Sequence, residues 1–240
     1  EDLLLYVALT AATGLLGNIS MWGYLKGQVE KPVLKELRPL RHLKETLVYF
    51  IPTIATSVYT ILDKTMLGWF SGENKSQNGY YEYATGFVNM AKILIMSFNA
   101  VMSARMSYLF GTGRMEEIHK RFQDSLDFVL LMAMPIMLGL AGIAAQFIPW
   151  FLGNGYLPVT FLMYVCSPLV LVVGLGDCIG SQVLTPGGKR AQSGKVIVAG
   201  AMVNACLNFL LIPHFAALGA AAASVAAECF ITSLYLWLGR

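Results

Sequence analysis

The sequence predicts an all-α, polytopic membrane helix bundle with seven transmembrane helices, and three observations carry that expectation. Of 240 residues, 56% are hydrophobic and only 13% charged, against about 25% charged in typical soluble domains. The apolar residues gather into seven long runs, and a hydrocarbon core of roughly 30 Å needs about 20 residues of apolar helix. The cations are sorted between the runs. Six follow the first (Lys26, Lys31, Lys35, Arg38, Arg41, Lys44), one the second (Lys75), four the third (Arg105, Arg114, Lys120, Arg121) and none the fourth. Three follow the fifth (Lys189, Arg190, Lys195), none the sixth, and Arg240 follows the seventh. A soluble core has no reason to alternate its cations in this way, whereas an integral membrane protein keeps Lys and Arg on the cytoplasmic side of the bilayer.

In chain order the predicted spans are residues 3–25, 47–70, 83–104, 126–152, 159–184, 196–212 and 218–238. With the basic loops inside, the N-terminus lies outside and the C-terminus in the cytoplasm, as an odd number of spans requires. Trp69, Trp150, Tyr156 and Trp237 fall near span ends, where amphipathic rings prefer the headgroup level. The connection over residues 26–45 places Leu34, Leu37, Leu40 and Leu43 among Lys35, Glu36, Arg38, Arg41 and Lys44. That recurrence suits a short helix on the inner membrane surface, while Pro32 and Pro39 leave a solvated linker as the alternative. Because the chain starts at Glu1-Asp2 and stops at Gly239-Arg240, each beside a span, it is expected to be part of a longer protein. Pro52, Pro135, Pro168, Gly174, Gly176 and Gly180 interrupt spans; lipid tolerates such breakers where neighbouring helices or a wet cavity satisfy the freed backbone. The smooth stretch from Leu218 to Ser224 allows close helix approach.

Composition excludes several function classes. The net charge of +3 resides in loops on one face and reads as orientation, with no nucleic-acid partner. Cys166, Cys178, Cys206 and Cys229 lie inside predicted spans without paired spacing, which supports neither a disulfide framework nor a metal site. No phosphate-cradling glycine loop is present, and His42, His119 and His214 all fall in loops. An enzyme and a bound cofactor are therefore not expected.

Ionisable side chains at bilayer depth cost on the order of 3 kcal/mol each, so they mark partners or pathways. Lys92 falls near the middle of the third span, Glu228 near the middle of the seventh, Asp177 in the inner half of the fifth, and Asp63 and Lys64 toward the outer end of the second. Lys64 is able to snorkel outward with Asp63 as its partner. Lys92 is roughly 10 residues of about 1.5 Å rise from either surface and must face a wet cavity or an anion; Glu228 is the candidate partner. Arg105 ends the third span, either as a positive-inside anchor or as a planar fork for a phosphate entering from the inner leaflet. Asn89, Asn99, Gln182, Asn204 and Asn208 are amides inside spans. Asn204 and Asn208, one helical turn apart, share a face, for interhelical bonding or for sugar contact.

Read together, Phe50-Ile51-Pro52, Val58-Tyr59, Leu62-Asp63-Lys64, Met66-Leu67-Gly68, Gly79-Tyr80-Tyr81-Glu82 and the stretch from Val101 to Ser107 resemble a known family. It is that of the O-antigen and capsule repeat-unit flippases of the multidrug/oligosaccharidyl-lipid/polysaccharide exporter superfamily. Gln182-Val183-Leu184-Thr185-Pro186, Asn204, Asn208, Leu211-Ile212-Pro213 and Gly219-Ala220-Ala221 extend the resemblance. It implies two six-helix lobes around a central cavity. Residues 1–25 would hold the last helix of the first lobe, 26–46 the basic cytoplasmic interlobe linker, and 47–240 the six-helix second lobe. The implied substrate is an undecaprenyl-pyrophosphate-linked oligosaccharide, flipped across the bacterial inner membrane by alternating access. Lys92 and Arg105 would attract its pyrophosphate, and Asn99, Gln182, Asn204 and Asn208 its sugars. Asp63, Lys64, Asp177 and Glu228 are candidates for charge pairing or for coupling to H⁺ or Na⁺. The sequence departs from the family pattern at Ala104, at Thr85-Gly86 and at Lys92. A lipid II flippase and a cation-coupled multidrug extruder remain the alternative activities.

Overall fold

A computed structural model describes residues 2–25, 43–70 and 76–239, and every element among them is helical. The chain divides into two compact units, Glu1–Lys44 and Glu45–Arg240. The predicted surface helix lies, apart from its last residues, outside the described residues.

The first unit contains α1 (Asp2–Leu25). It is apolar all round, with Leu5, Leu9, Leu16, Ile19 and Trp22 exposed on different faces, the composition of a membrane span. Its polar side chains turn inward on the backbone: Thr10 and Thr13 each donate a hydroxyl to the carbonyl four residues earlier, at 2.8 Å.

The remaining elements are α2 (Leu43–Phe70), α3 (Ser76–Thr112), α4 (Met115–Phe151), a 3₁₀ turn (Asn154–Tyr156), α5 (Leu157–Cys166), α6 (Pro168–Ile179), a π-helical turn (Gly180–Leu184) and α7 (Arg190–Leu238). Both α3 and α4 begin before the predicted spans 83–104 and 126–152, and α3 also outruns its span at the far end. The overhanging turns are amphipathic, so apolarity alone marks only the lipid-embedded part. Gly113, with φ of 71°, makes the sharp turn between these two helices, a conformation that glycine adopts without a Cβ clash. Pro135 and Pro149 stay within α4. Pro168, by contrast, divides the predicted span 159–184: α5 ends at Cys166 and Pro168 opens α6, the position where its missing N–H costs nothing.

A straight α7 of 49 residues would reach roughly 74 Å at about 1.5 Å per residue, more than twice the hydrocarbon thickness. It folds back instead at Ala216, whose φ of 48° and ψ of −127° break the helix three residues after Pro213. Four contacts establish that the two halves are antiparallel. Lys189 Nζ donates to the Leu238 carbonyl at 2.7 Å and Ser193 Oγ to Tyr235 Oη at 2.8 Å. Further along, Gly200 faces Ile231, and a Cβ on Gly219 would lie 2.5 Å from the Leu211 carbonyl oxygen. The Leu211-Ile212-Pro213 and Gly219-Ala220-Ala221 motifs are thus the two sides of one tight helical reversal.

Among the described residues, five helical stretches are long and apolar enough to cross a membrane: Leu4–Gly23, Ser76–Thr112, Met115–Phe151, Asn154–Leu184 and Arg190–Leu238. The molecule is an all-α membrane helix bundle. The last stretch holds both predicted spans 196–212 and 218–238 as the two halves of α7. The expected span 47–70 falls within α2. Trp69, Trp150 and Trp237 stand exposed near the last turns of α2, α4 and α7.

Candidate functional site

A polar cavity of about 160 Å³ opens between α2, α3, α6 and the second half of α7. Its apolar lining is Val88, Leu169 and Val173, where it borders the hydrophobic core. On α3, Glu82, Thr85, Asn89 and Lys92 all line it. Their spacings of three, four and three residues put them on one helical face. Thr60, Asp63 and Lys64 come from α2, and Ser224 and Glu228 from α7. Lys92, half-buried, shares this cavity with Glu228, the carboxylate whose charge acts on it. The volume suits a few waters and is far below that of an oligosaccharide, so these residues form a wall and a recess.

Asp63 and Lys64 do not pair with each other. Neighbouring residues on a helix diverge by about 100°, and the structure sends the two side chains apart: Lys64 forms an ion pair with Glu82 on α3, while Asp63 turns inward and is 2% exposed. Three donors meet its carboxylate. Tyr81 Oη donates to Oδ2 at 3.0 Å, Ser224 Oγ to Oδ2 at 2.8 Å, and Asn208 Nδ2 to Oδ1. Asn208 Nδ2 also donates to Asn204 Oδ1 at 3.0 Å, so the shared face expected of these two asparagines is realised as a bond between them. Asn208 Oδ1 and Asn204 Nδ2 are buried without a hydrogen-bond partner. This cluster ties α2, α3 and both halves of α7 together, and Asp63, Tyr81 and Ser224 also line the cavity.

A second buried cluster centres on Asn99. Its Nδ2 donates to the Gly174 carbonyl at 3.1 Å and to Asp177 Oδ2 at 3.0 Å, while Gln182 Nε2 donates to its Oδ1 at 3.0 Å. One turn on, Ser103 Oγ donates to the Ser181 carbonyl at 2.9 Å. These bonds strap α3 to α6 and to the π-helical turn. Asp177 and Glu228 both line a separate hollow together with Thr56 and Tyr235.

Of the residues expected to bind substrate, only Lys92 lines the polar cavity. Asn99, Gln182, Asn204 and Asn208 are buried between helices and bonded to one another or to Asp63 and Asp177. Arg105 is half-exposed at the far end of α3 and faces Glu117 at 3.6 Å. It stands 13 residues from Lys92 (105 minus 92) on one helix, roughly 20 Å away at about 1.5 Å per residue. A single pyrophosphate cannot touch both cations at once. Sequence reasoning missed Tyr81 and Ser224 as ligands of Asp63, and Glu82 and Thr85 as cavity walls. The three-and-four spacing of polar residues along the third span was the available signal for the walls.

The fold and this polar interior define a multi-pass membrane protein that holds Asp63, Asn99, Gln182, Asn204 and Asn208 buried between its helices. Residues 15–161 match the family described as "Polysaccharide biosynthesis protein", and since that is more than half of the chain, the protein belongs to this family. The chain is 26% identical over 215 residues to the "Putative O-antigen transporter" of Escherichia coli (strain K12), covering 90% of this chain and 51% of that protein. Its fold is similar to that of "Lipid II flippase MurJ, inward closed conformation", with a TM-score of 0.69 at 17% identity, covering 86% of this chain and 46% of the flippase. The chain thus spans about half the length of these two proteins.

Proposed function

We propose that the protein moves a lipid-linked oligosaccharide, an undecaprenyl-pyrophosphate-linked repeat unit, from the inner to the outer leaflet of the bacterial inner membrane. In this reading the chain supplies the last helix of one lobe and a second lobe of six helices. These are α2, α3, α4, the broken pass from α5 to the π-helical turn, and the two halves of α7. The basic loops face the cytoplasm, and the polar cavity faces the other lobe, so that a rocking motion opens it to one side at a time.

The observation that carries the reading is Lys92, a cation at mid-helix on a wall that also holds Asn89, Thr85 and Glu228. A mobile anion is what such a wall is built to receive: Glu228 balances Lys92 in the absence of substrate, and the diphosphate takes its place. The amide and hydroxyl groups beside it suit sugar hydroxyls. The Asp63 cluster is the coupling site in this scheme, since the oxygens of Asp63, Tyr81, Ser224, Asn204 and Asn208 gather in one buried spot, a donor set that a proton or a sodium ion accepts.

The test is Lys92→Met in the intact protein, with surface glycan export measured in a cell lacking its own flippase. Export falls to background if Lys92 carries the diphosphate, and unchanged export removes it from the mechanism. Rescue of a cell depleted of its lipid II flippase, without glycan export, would instead favour the cell-wall precursor as substrate.

A further inference from the structure

The corner between α3 and α4 holds a cluster that the polar cavity does not use. Three guanidinium groups converge on one carboxylate, Glu117: Arg105 at 3.6 Å, Arg114 at 3.6 Å and Arg121 at 3.9 Å. Arg121 also faces Asp124 at 3.7 Å. All four distances exceed the roughly 2.7–2.9 Å of a charge-assisted hydrogen bond, so the arginines are drawn toward the carboxylates without spending their donors on them. The Nε of Arg121 is buried and has no hydrogen-bond partner. Three cations therefore stand against two anions, and each guanidinium brings five N–H donors.

The local fold makes this arrangement rigid. Gly113 turns the chain, so that the final turns of α3 and the first turns of α4 lie side by side. Met106, Leu109 and Ile118 lock them together from beneath, with Phe110 and Phe122 packed alongside. Arg114, Glu117, Arg121 and Asp124 follow a spacing of three, four and three, which puts them on one face of α4. None of the three arginines lines the Lys92 cavity.

We propose that Arg105, Arg114 and Arg121 form a loading site for the diphosphate headgroup of a polyprenyl lipid, in which Glu117 holds the anion's place until the lipid arrives. The identity of the lipid rests on the flippase reading above; the site itself rests on the geometry of the corner. A diphosphate presents several anionic oxygens to three planar forks, whereas the single Glu117 carboxylate leaves most of their donors unused. Binding displaces Glu117 without moving the helices. The roughly 20 Å from Arg105 to Lys92 along α3 then makes the two cation sites successive, the first at the membrane surface and the second at bilayer depth.

The intact protein in detergent is titrated calorimetrically with farnesyl diphosphate, inorganic pyrophosphate and phosphatidylglycerol. Farnesyl diphosphate binds tightest of the three, and Arg114→Gln with Arg121→Gln weakens it about tenfold or more, since each replacement removes charge-assisted bonds to the diphosphate. Glu117→Gln tightens it several-fold because the internal competitor is gone, which separates a loading site from an ordinary ion-pair network and does not depend on the double variant folding well. Glu117→Gln that leaves affinity unchanged or lowers it overturns the proposal. So does phosphatidylglycerol or inorganic pyrophosphate binding as tightly as the prenyl diphosphate. Lys92→Met is titrated in parallel: retained farnesyl diphosphate binding supports a site separate from the cavity, and its loss overturns that separation. Because these titrations need no transport, they succeed or fail independently of the export assay.

Discussion

The Asn208 side chain of α7 donates to the carboxylate of Asp63 on α2 across 145 positions of sequence, and the same amide reaches Asn204 one turn away. One nitrogen thus joins the first half of α7 to α2. Tyr81 and Ser224 bring α3 and the second half of α7 to the same carboxylate, which makes Asp63 the point where four helical segments meet.

Asp63→Leu removes the acceptor for all three donors, each of which then costs about 1–3 kcal/mol as an unsatisfied buried group. A lowered thermal midpoint in detergent is expected, with Asp63→Asn intermediate because one oxygen is retained. If the cluster also holds the coupling ion, sodium in place of potassium raises the wild-type midpoint by mass action, and Asp63→Asn abolishes that rise. A sodium-dependent rise that survives in Asp63→Asn places the ion elsewhere.

The reversal of α7 makes a second prediction. A side chain at Gly200 runs into Ile231 on the opposite half, so Gly200→Val is overpacked, a class of change that costs about 1–3 kcal/mol. Shortening the partner makes room: Ile231→Ala in the same chain restores part of the loss, and the double-mutant cycle gives a coupling energy well away from zero. At Gly219 the obstacle is the Leu211 backbone, which cannot shorten, so Gly219→Val finds no such rescue. Additive effects for Gly200→Val and Ile231→Ala would show that the two halves of α7 do not touch there.

The bundle was legible because lipid leaves a coarse record: long apolar runs mark helices, and the stretches between them carry the turns. Pro168 announced a real break, since proline opens a new helix readily. Pro135 announced none, because α4 continues through it. The polar interior was legible as chemistry and not as geometry. Composition marks Asp63 as costly at that depth, but only the rotation of α2 decides that it faces Tyr81 and leaves Lys64 for Glu82. Likewise, an amide inside a span reads the same whether it meets a sugar or another helix. Asn99, Gln182, Asn204 and Asn208 meet other helices here because their partners come from positions far away in the chain.

Asn99 offers the sharpest separation between those two roles. It is fully buried, and Asn99→Ala strands one oxygen of Asp177 and the Gln182 amide nitrogen together and takes a second donor from the Gly174 carbonyl, so the loss is expected at the upper end of the about 1–3 kcal/mol for unsatisfied buried groups. Asn99→Asp keeps an acceptor for Gln182 Nε2 but puts a second carboxyl beside Asp177, where two carboxylates in low dielectric repel. Both variants are expected to unfold at lower temperature than wild type. The effect should be relieved for Asn99→Asp when Asp177 is changed to Asn, since the pair then again offers one carboxyl and one amide. The π-helical turn reports the same bond through hydrogen exchange: with its strap to α3 cut, residues 180–184 should exchange faster than the rest of the pass. Should Asn99→Ala leave both the midpoint and that exchange unchanged, the amide is not structural, and its place in sugar recognition reopens.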